Sequence, residues 1–434
     1  MSIEVAVRDL ATDCDLLKFY FLNSKRYPFL LESVAKSDTN YFDILFAFPG
    51  KLIASKTKFL KKFNKIWQQS ETPGKYKEEI PFHSGWFINL SYELNLEVEP
   101  VLRQNYNKKL KCKSYAVRIP ASIVQDKKHK KLYFIAEDKK LLRAMLKDYE
   151  NLAEIKKKMP GSIIITEEDP AIFKDGIKKI KNYIVEGDVF QVNLSRLWHG
   201  KLYAKTNPGQ IYNKLRQTNP APFAGLVDFN GCAIISSSPE RLVRLKSKKI
   251  STRPIAGTRP RGASNLSDSA LSEELLRHPK EQAEHIMLID LERNDLGRVC
   301  KPGTVKVDEL MVLESYAHVH HIVSNVSGMV RKGISPVDVI RATFPGGTIT
   351  GCPKVRCMQI INELEHNPRG AYTGSMGYLD LNGNMDLNIL IRSIEQKGRK
   401  IEFRAGAGIV HDSVADKELQ ETRHKAEGML RVFK

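Results

Sequence analysis

No two cysteines in the sequence are spaced Cys-x-x-Cys, and none of the six (Cys14, Cys112, Cys232, Cys300, Cys352, Cys357) clusters with histidine in a metal-binding pattern. A disulfide scaffold and a zinc ribbon are therefore not expected, and the cysteines read as reduced thiols of a cytoplasmic protein. No apolar run approaches the length a membrane helix needs, so no membrane partner is expected. The opening MSIEVAVRDLATDCD carries acids where a signal peptide needs an apolar core. Internal repeats and low-complexity segments are missing too. Acidic charge is the remaining shortage: 50 Asp and Glu face 69 Lys and Arg, a formal net charge of +19.

That excess suggests an acidic partner such as nucleic acid, anionic lipid or a small polyanion. The basic runs KKLKCK (108–113), KKHKK (127–131) and KKIK (178–181) are short, scattered and free of interleaved aromatics that would stack bases. A lysine-rich solvated surface is expected, and no nucleic-acid partner. A basic nucleic-acid-binding protein and a non-catalytic scaffold stand as remote alternatives.

What is present is a long chain of mixed character. Its 434 residues are 42% apolar and 27% charged, enough for a large core and more than the usual single domain. Residues 1–160 mix short apolar strands (FDILFAF, WFINLSYEL, KLYFIA) with lysine-rich connectors. A helix is expected over 138–159, ending at Pro160-Gly161, which marks the boundary to a second region, 165–434. Asp169-Pro170 reads as N-cap and first helical residue, with Ile177, Ile180 and Ile184 as the apolar face. Strands are expected at GDVFQVNLSRLWHG, FAGLVDF and CAIISSS, a long helix near 268–292, a helix after TFPGGTITGCPK, and a last one from about 415 to 431. Strands clustered beside long helices argue an α+β fold.

Several patterns could carry chemistry. Glu281 and Glu284 share a helix face, as do Glu421 and Lys425. Carboxylates from two helices suit a hard cation such as Mg²⁺, which keeps water and substrate oxygens in its shell. Solvated helix faces would have the same spacing. Gln191 and Asn193 in VFQVNL, Glu240 in SSSPERL and His321 in HVHHIVS are polar residues within apolar stretches. A carboxyl at Glu240, at a strand end, can be partly desolvated and made a proton donor. The glycine-rich PGGTITG offers backbone N–H groups to a carboxylate or phosphate, without the register of a nucleotide P-loop.

Eight segments in order, EGDVFQVNLSR, SSSPERL, RPIAGTRPRG, AEHIMLIDLERNDLGRV, HVHHIVSNVSG, FPGGTITGCPKVR, MDLNILIR and GAGIVHDSVADKELQETRHKA, resemble the chorismate-utilising enzymes. These include anthranilate synthase component I, aminodeoxychorismate synthase component I, and the isochorismate and salicylate synthases. The resemblance implies large, mostly antiparallel sheets packed as a sandwich and flanked by helices, with the looser region at 1–160. It implies that Glu284 and Glu421 hold Mg²⁺, with Glu281 beside them, and that the ion clamps the ring carboxylate of chorismate together with Lys425. Arg392, Tyr372 and the backbone at Gly408 would bind the enolpyruvyl carboxylate. Glu240 would protonate the departing C4 hydroxyl, while His321 and Thr348 line the ring pocket. Ala256, Gly257 and Thr258 would lie against the ring.

Two positions bear on the reaction. Isochorismate and salicylate synthases resemble the chain at Gln191 but carry a lysine that activates water. An amide cannot take that proton, so the resemblance implies an amine-adding enzyme fed with ammonia by a glutaminase subunit. At Ala256 the commonest aminodeoxychorismate synthases carry a lysine nucleophile, whereas anthranilate synthases and a subgroup of aminodeoxychorismate synthases carry alanine. Asn193, NPAPFAG, NYFDILFAFP and TITGCPK look like aminodeoxychorismate synthase component I, so a transaminase-class reaction toward p-aminobenzoate and folate is expected. Anthranilate synthase is the alternative. PFLLESV (28–34) resembles the tryptophan-binding segment of anthranilate synthases, with Leu31, Glu32 and Ser33 framing an effector. An ordinary strand-to-turn sequence reads the same way.

Overall fold

The computed structural model describes residues 3–35, 41–70, 79–104, 106–110, 113–155, 160–261, 265–315 and 319–434. Asp169 and Pro170 start the helix Pro170–Val185 as expected: the Asp169 side chain accepts from the Ala171 N–H, and proline occupies the first turn. Phe173, Ile177 and Ile180 are its buried face.

Two helices come out shorter than their sequence pattern. The one expected over 138–159 runs Lys139–Glu150. It stops where the Asn151 side-chain amide donates to the Lys147 carbonyl oxygen at 2.6 Å and satisfies an end group. Residues 156–159 lie outside the described residues. The long helix near 268–292 is two, Asn265–Arg277 and Pro279–Gly297. Pro279 lacks the N–H that would continue the first helix, and it holds His278 extended at φ −70°, ψ 113°. The final helix runs Ala415–Leu430.

The strands form two sheets, and the pairings among described strands are antiparallel. The larger has twelve strands and the smaller ten. Each draws on both sides of residue 160. In the larger, Phe29–Glu32 pairs with Phe223–Phe229, Leu30 opposite Leu226. In the smaller, Gly85–Leu90 pairs with Ser375–Asp380, Ile88 opposite Gly377. One apolar cluster joins the sheets face to face: Phe29, Ile44 and Phe46 from the first meet Phe87, Val117 and Met376 from the second. The Phe29 and Phe87 rings stack at 4.2 Å. Truncating such a ring to alanine costs about 3–5 kcal/mol through lost burial and the cavity left behind.

Within this α+β sandwich the elements that carry the candidate residues pack against one another. The strands Gln191–Leu202 and Lys400–Ile409 run side by side, with Asn193 opposite Gly408. The last helix packs on Lys400–Ile409, and helix Pro279–Gly297 packs on the strands Ile255–Pro260 and Val319–Met329. Electrostatic contacts link Glu240 with Lys425 and Arg392, and Glu284 with Gln191, Glu281, Glu421 and Lys425.

Candidate active site

Glu240 occupies the turn between strands Cys232–Ser238 and Arg241–Lys246. It is only 5% exposed, and burial pushes its carboxyl up to about 7. Thr348 Oγ1 donates to its Oε1 at 2.8 Å. That bond, the Ile255 backbone and the charges of Lys425 and Arg392 work in the opposite direction, toward the carboxylate. A carboxyl poised near neutrality can release a proton on demand and recover it.

Arg392 stands across from Glu240 with its backbone at φ 51°. Burial lowers its proton affinity, and the Glu240 charge partly restores it. His321, buried on strand Val319–Met329, pairs in register with Thr258. Burial and then the Arg392 charge draw its ring down to about 4, so at neutral pH it is uncharged; it is hydrogen-bonded to the Gly257 backbone. Gly257 has φ +68°, and a Cβ there would fall 2.8 Å from Leu275 and 2.9 Å from a Glu281 carboxylate oxygen. Glycine therefore lets the 255–260 strand approach the acidic helix. Ala256 lies opposite Ile322 in the same pairing. The side chains of Ala256 and Thr258 lie outside the described residues.

On the opposite wall, Gln191 Nε2 donates to Glu284 Oε1 at 2.9 Å. Burial raises the Glu284 pKa; the Gln191 bond and the Lys425 charge oppose this, while the Glu281 and Glu421 charges add to it. The carboxylates of Glu281 and Glu421 are thus close enough to Glu284 to act on its charge. Lys425 Nζ bridges Glu421 Oε1 at 2.6 Å and the Gly406 carbonyl oxygen at 3.1 Å. Among the described residues no three His, Cys, Asp or Glu side chains gather tightly enough to form a complete metal cage. The donors present are hard oxygens, two of them beside a shared counter-charge, and they fit an ion that takes few protein ligands.

The glycines of Lys400–Ile409 make room for these side chains. A Cβ on Gly408 would lie 2.2 Å from Gln191 Nε2, and one on Gly406 would lie 2.7 Å from Asn193 Oδ1 and 2.8 Å from the Tyr372 hydroxyl. Tyr372 is buried, its hydroxyl pushed up to about 12 chiefly by that burial. Gln191 Oε1 and Asn193 Oδ1 are buried with no hydrogen-bond partner among the described residues. Two orphan amide oxygens on one face of a strand are acceptors waiting for N–H or O–H donors.

Lys354, beyond the glycine loop, is engaged within the protein: its Nζ contacts the Asp295 carboxylate at 2.6 Å and the Pro345 carbonyl oxygen at 3.1 Å. Leu31, Glu32 and Ser33 line a different cavity of about 100 Å³, with Phe223, Met376 and Tyr378. The Glu32 carboxylate there is already held by the Tyr212 hydroxyl at 2.5 Å and by Arg216 at 3.1 Å.

Sequence reasoning missed the buried network that supports Tyr372. Arg369 pairs with Glu365 at 2.7 Å, and Arg404 with the same carboxylate at 3.2 Å. The four-residue spacing of Glu365 and Arg369 was the available signal.

Residues 27–431 match the family model described as chorismate binding enzyme, and the chain belongs to that family. It is 51% identical over 261 residues to anthranilate synthase component 1 of Aquifex aeolicus (strain VF5), covering 60% of this chain and 52% of that protein. It is equally 51% identical over 261 residues to aminodeoxychorismate synthase component 1 of Bacillus subtilis (strain 168), covering 60% and 55%. The chain thus spans about half the length of these curated relatives. The crystal structure of anthranilate synthase component I from Streptococcus pneumoniae TIGR4 superposes with a TM-score of 0.79 at 30% identity, covering 91% of this chain and 93% of that one.

Proposed function

We propose that the chain is the chorismate-binding component of an aminodeoxychorismate synthase, adding ammonia from a glutaminase subunit to chorismate to give 4-amino-4-deoxychorismate. The observation that carries an acid-assisted displacement is Glu240: a buried carboxyl near neutral pKa, hydrogen-bonded by Thr348 and facing Arg392 and Lys425. Hydroxide is a poor leaving group, so an acid at that oxygen is needed. Arg392 and Tyr372 would bind the enolpyruvyl carboxylate, and neutral His321 would line the ring. Glu284 and Glu421, with Glu281 nearby, would hold Mg²⁺, which supplies charge to neutralise the ring carboxylate. Lys425 would add a second positive contact there. Gln191 has no basic atom with which to activate water, and its unpartnered Oε1, like Asn193 Oδ1, can accept from the N–H groups of an incoming amine.

Anthranilate synthase component I is the second reading, favoured by Ala256, which cannot act as a relay nucleophile. The split names of the relatives leave both products in play. Tryptophan in the cavity at Leu31, Glu32 and Ser33 is a further proposal; Ser33 would frame its amine, since Glu32 is engaged by Arg216. The test is product analysis with chorismate, Mg²⁺ and an ammonium salt. A C4-amino product that keeps the enolpyruvyl group supports the first reading. Anthranilate with released pyruvate selects the second, and no amine product overturns both.

A further inference from the structure

Behind Tyr372, on the far side of Arg369, lies a cavity of about 20 Å³ lined by Tyr92, Glu93, Asn95, Tyr106, Lys108 and Arg369 among others. A space of this kind needs roughly 10–15 Å³ to hold one water-sized particle. Four of its lining side chains end in buried oxygens without a hydrogen-bond partner among the described residues: Tyr92 Oη, Glu93 Oε2, Asn95 Oδ1 and Tyr106 Oη. Tyr92, Glu93 and Asn95 are each more than nine-tenths buried. Leaving one such oxygen unmade costs about 1–3 kcal/mol, and a carboxylate more, so four around one void mark a place built for an occupant.

The cations nearby are committed elsewhere. Arg369 spends its guanidinium on Glu365, Thr373 and the carbonyl oxygens of Ile349 and Asn193. Lys108 Nζ donates to the Asn362 carbonyl oxygen at 2.7 Å. Neither side chain makes a hydrogen bond to Glu93 Oε2; burial, and with it the Glu395 charge, pushes the Glu93 acid up to about 7, and a cation beside that oxygen would favour its ionised form. One carboxylate oxygen with three uncharged oxygens suits a bare, singly charged ion better than a small dication that holds its water. The same segment clasps the turn that carries Tyr372: the Tyr92 N–H donates to the Gly370 carbonyl oxygen at 2.9 Å, and the Gly370 N–H donates to Glu93 Oε1 at 3.2 Å.

We propose that this cavity binds one unhydrated monovalent cation of potassium or ammonium size, and that its occupancy steadies the Arg369–Thr373 turn presenting Tyr372. The binding stands independently of the proposed reaction.

Thermal unfolding of the full chain without chorismate, at fixed ionic strength in potassium, ammonium or tetramethylammonium chloride, tests it, with potassium as the arm that is not also a proposed reactant. A ligand that binds only the folded state raises the midpoint in a saturable way. Potassium or ammonium should raise it by on the order of a few degrees over the bulky tetramethylammonium. Glu93→Gln and, separately, Tyr106→Phe should weaken or abolish that difference. Equal midpoints in all three salts mean that the cavity holds water alone and overturn the proposal. So does an undiminished potassium response in both variants.

Discussion

Thr348 Oγ1 donates a 2.8 Å hydrogen bond to Glu240 Oε1, and so sets the readiness of the acid at the centre of the site. The bond stabilises the carboxylate and opposes the burial that raises the pKa to about 7. An acid works in its protonated form, so the rate should fall as pH rises through that value. Thr348→Val removes the donor and favours the protonated form. The alkaline limb of the kcat/KM profile should move to higher pH by roughly one unit. An unmoved limb would detach Thr348 from the acid's titration.

Gln191 orients Glu284 through a 2.9 Å bond. If Glu284 holds Mg²⁺ as proposed, Gln191→Leu should raise the Mg²⁺ concentration giving half-maximal activity roughly 10–100-fold, the usual cost of losing a partner that orients a metal-binding side chain. Activity against Mg²⁺ concentration measures this. An unchanged curve would place the metal away from Glu284.

Gly408 leaves the space that Gln191 fills, since a Cβ there would come within 2.2 Å of its Nε2. Gly408→Ala should push the amide off Glu284 and reproduce the Mg²⁺ defect of Gln191→Leu. It should also cost about 1–3 kcal/mol of stability in a denaturant titration. The two substitutions should not add in their metal effect, because they break one interaction.

Glu365 is a stability residue under Tyr372. The charges of Arg369 and Arg404, with the hydrogen bonds from Arg369 and Ser195, outweigh burial and hold its carboxyl down at about 2, against an ordinary value of 4.5. The folded value is the lower one, so its contribution is present above 4.5 and is lost as pH falls toward 2. Glu365→Gln strands two buried guanidinium groups and should cost about 3–5 kcal/mol. It should also remove that part of the acid sensitivity, read by urea midpoints across pH.

Much of the arrangement was legible in the sequence because it rests on local rules. Asp169-Pro170 forced a helix start, and the spacing of Glu281 and Glu284 put both on one face. SSSPERL put Glu240 at a strand end, and the structure has it just past the strand Cys232–Ser238. The split at His278-Pro279 was missed: the long helix expected near 268–292 runs across it, because the apolar pattern on either side reads as one continuous helix. Convergence was harder to see. Whether Glu284 meets Gln191, 93 positions away, depends on which elements pack together, and no local spacing sets that. The Tyr92–Tyr106 cavity left no pattern at all, since its oxygens are unremarkable until the fold strips them of partners.

The account rests on Glu240 as the proton donor, and Glu240→Gln tests it most directly. The amide keeps the shape and the Thr348 contact but has no acidic proton. With chorismate, Mg²⁺ and saturating ammonium, kcat should fall by roughly 10²–10⁴ while chorismate binding and the unfolding midpoint stay close to those of the parent. A variant that turns over at the parent's rate would contradict the assignment.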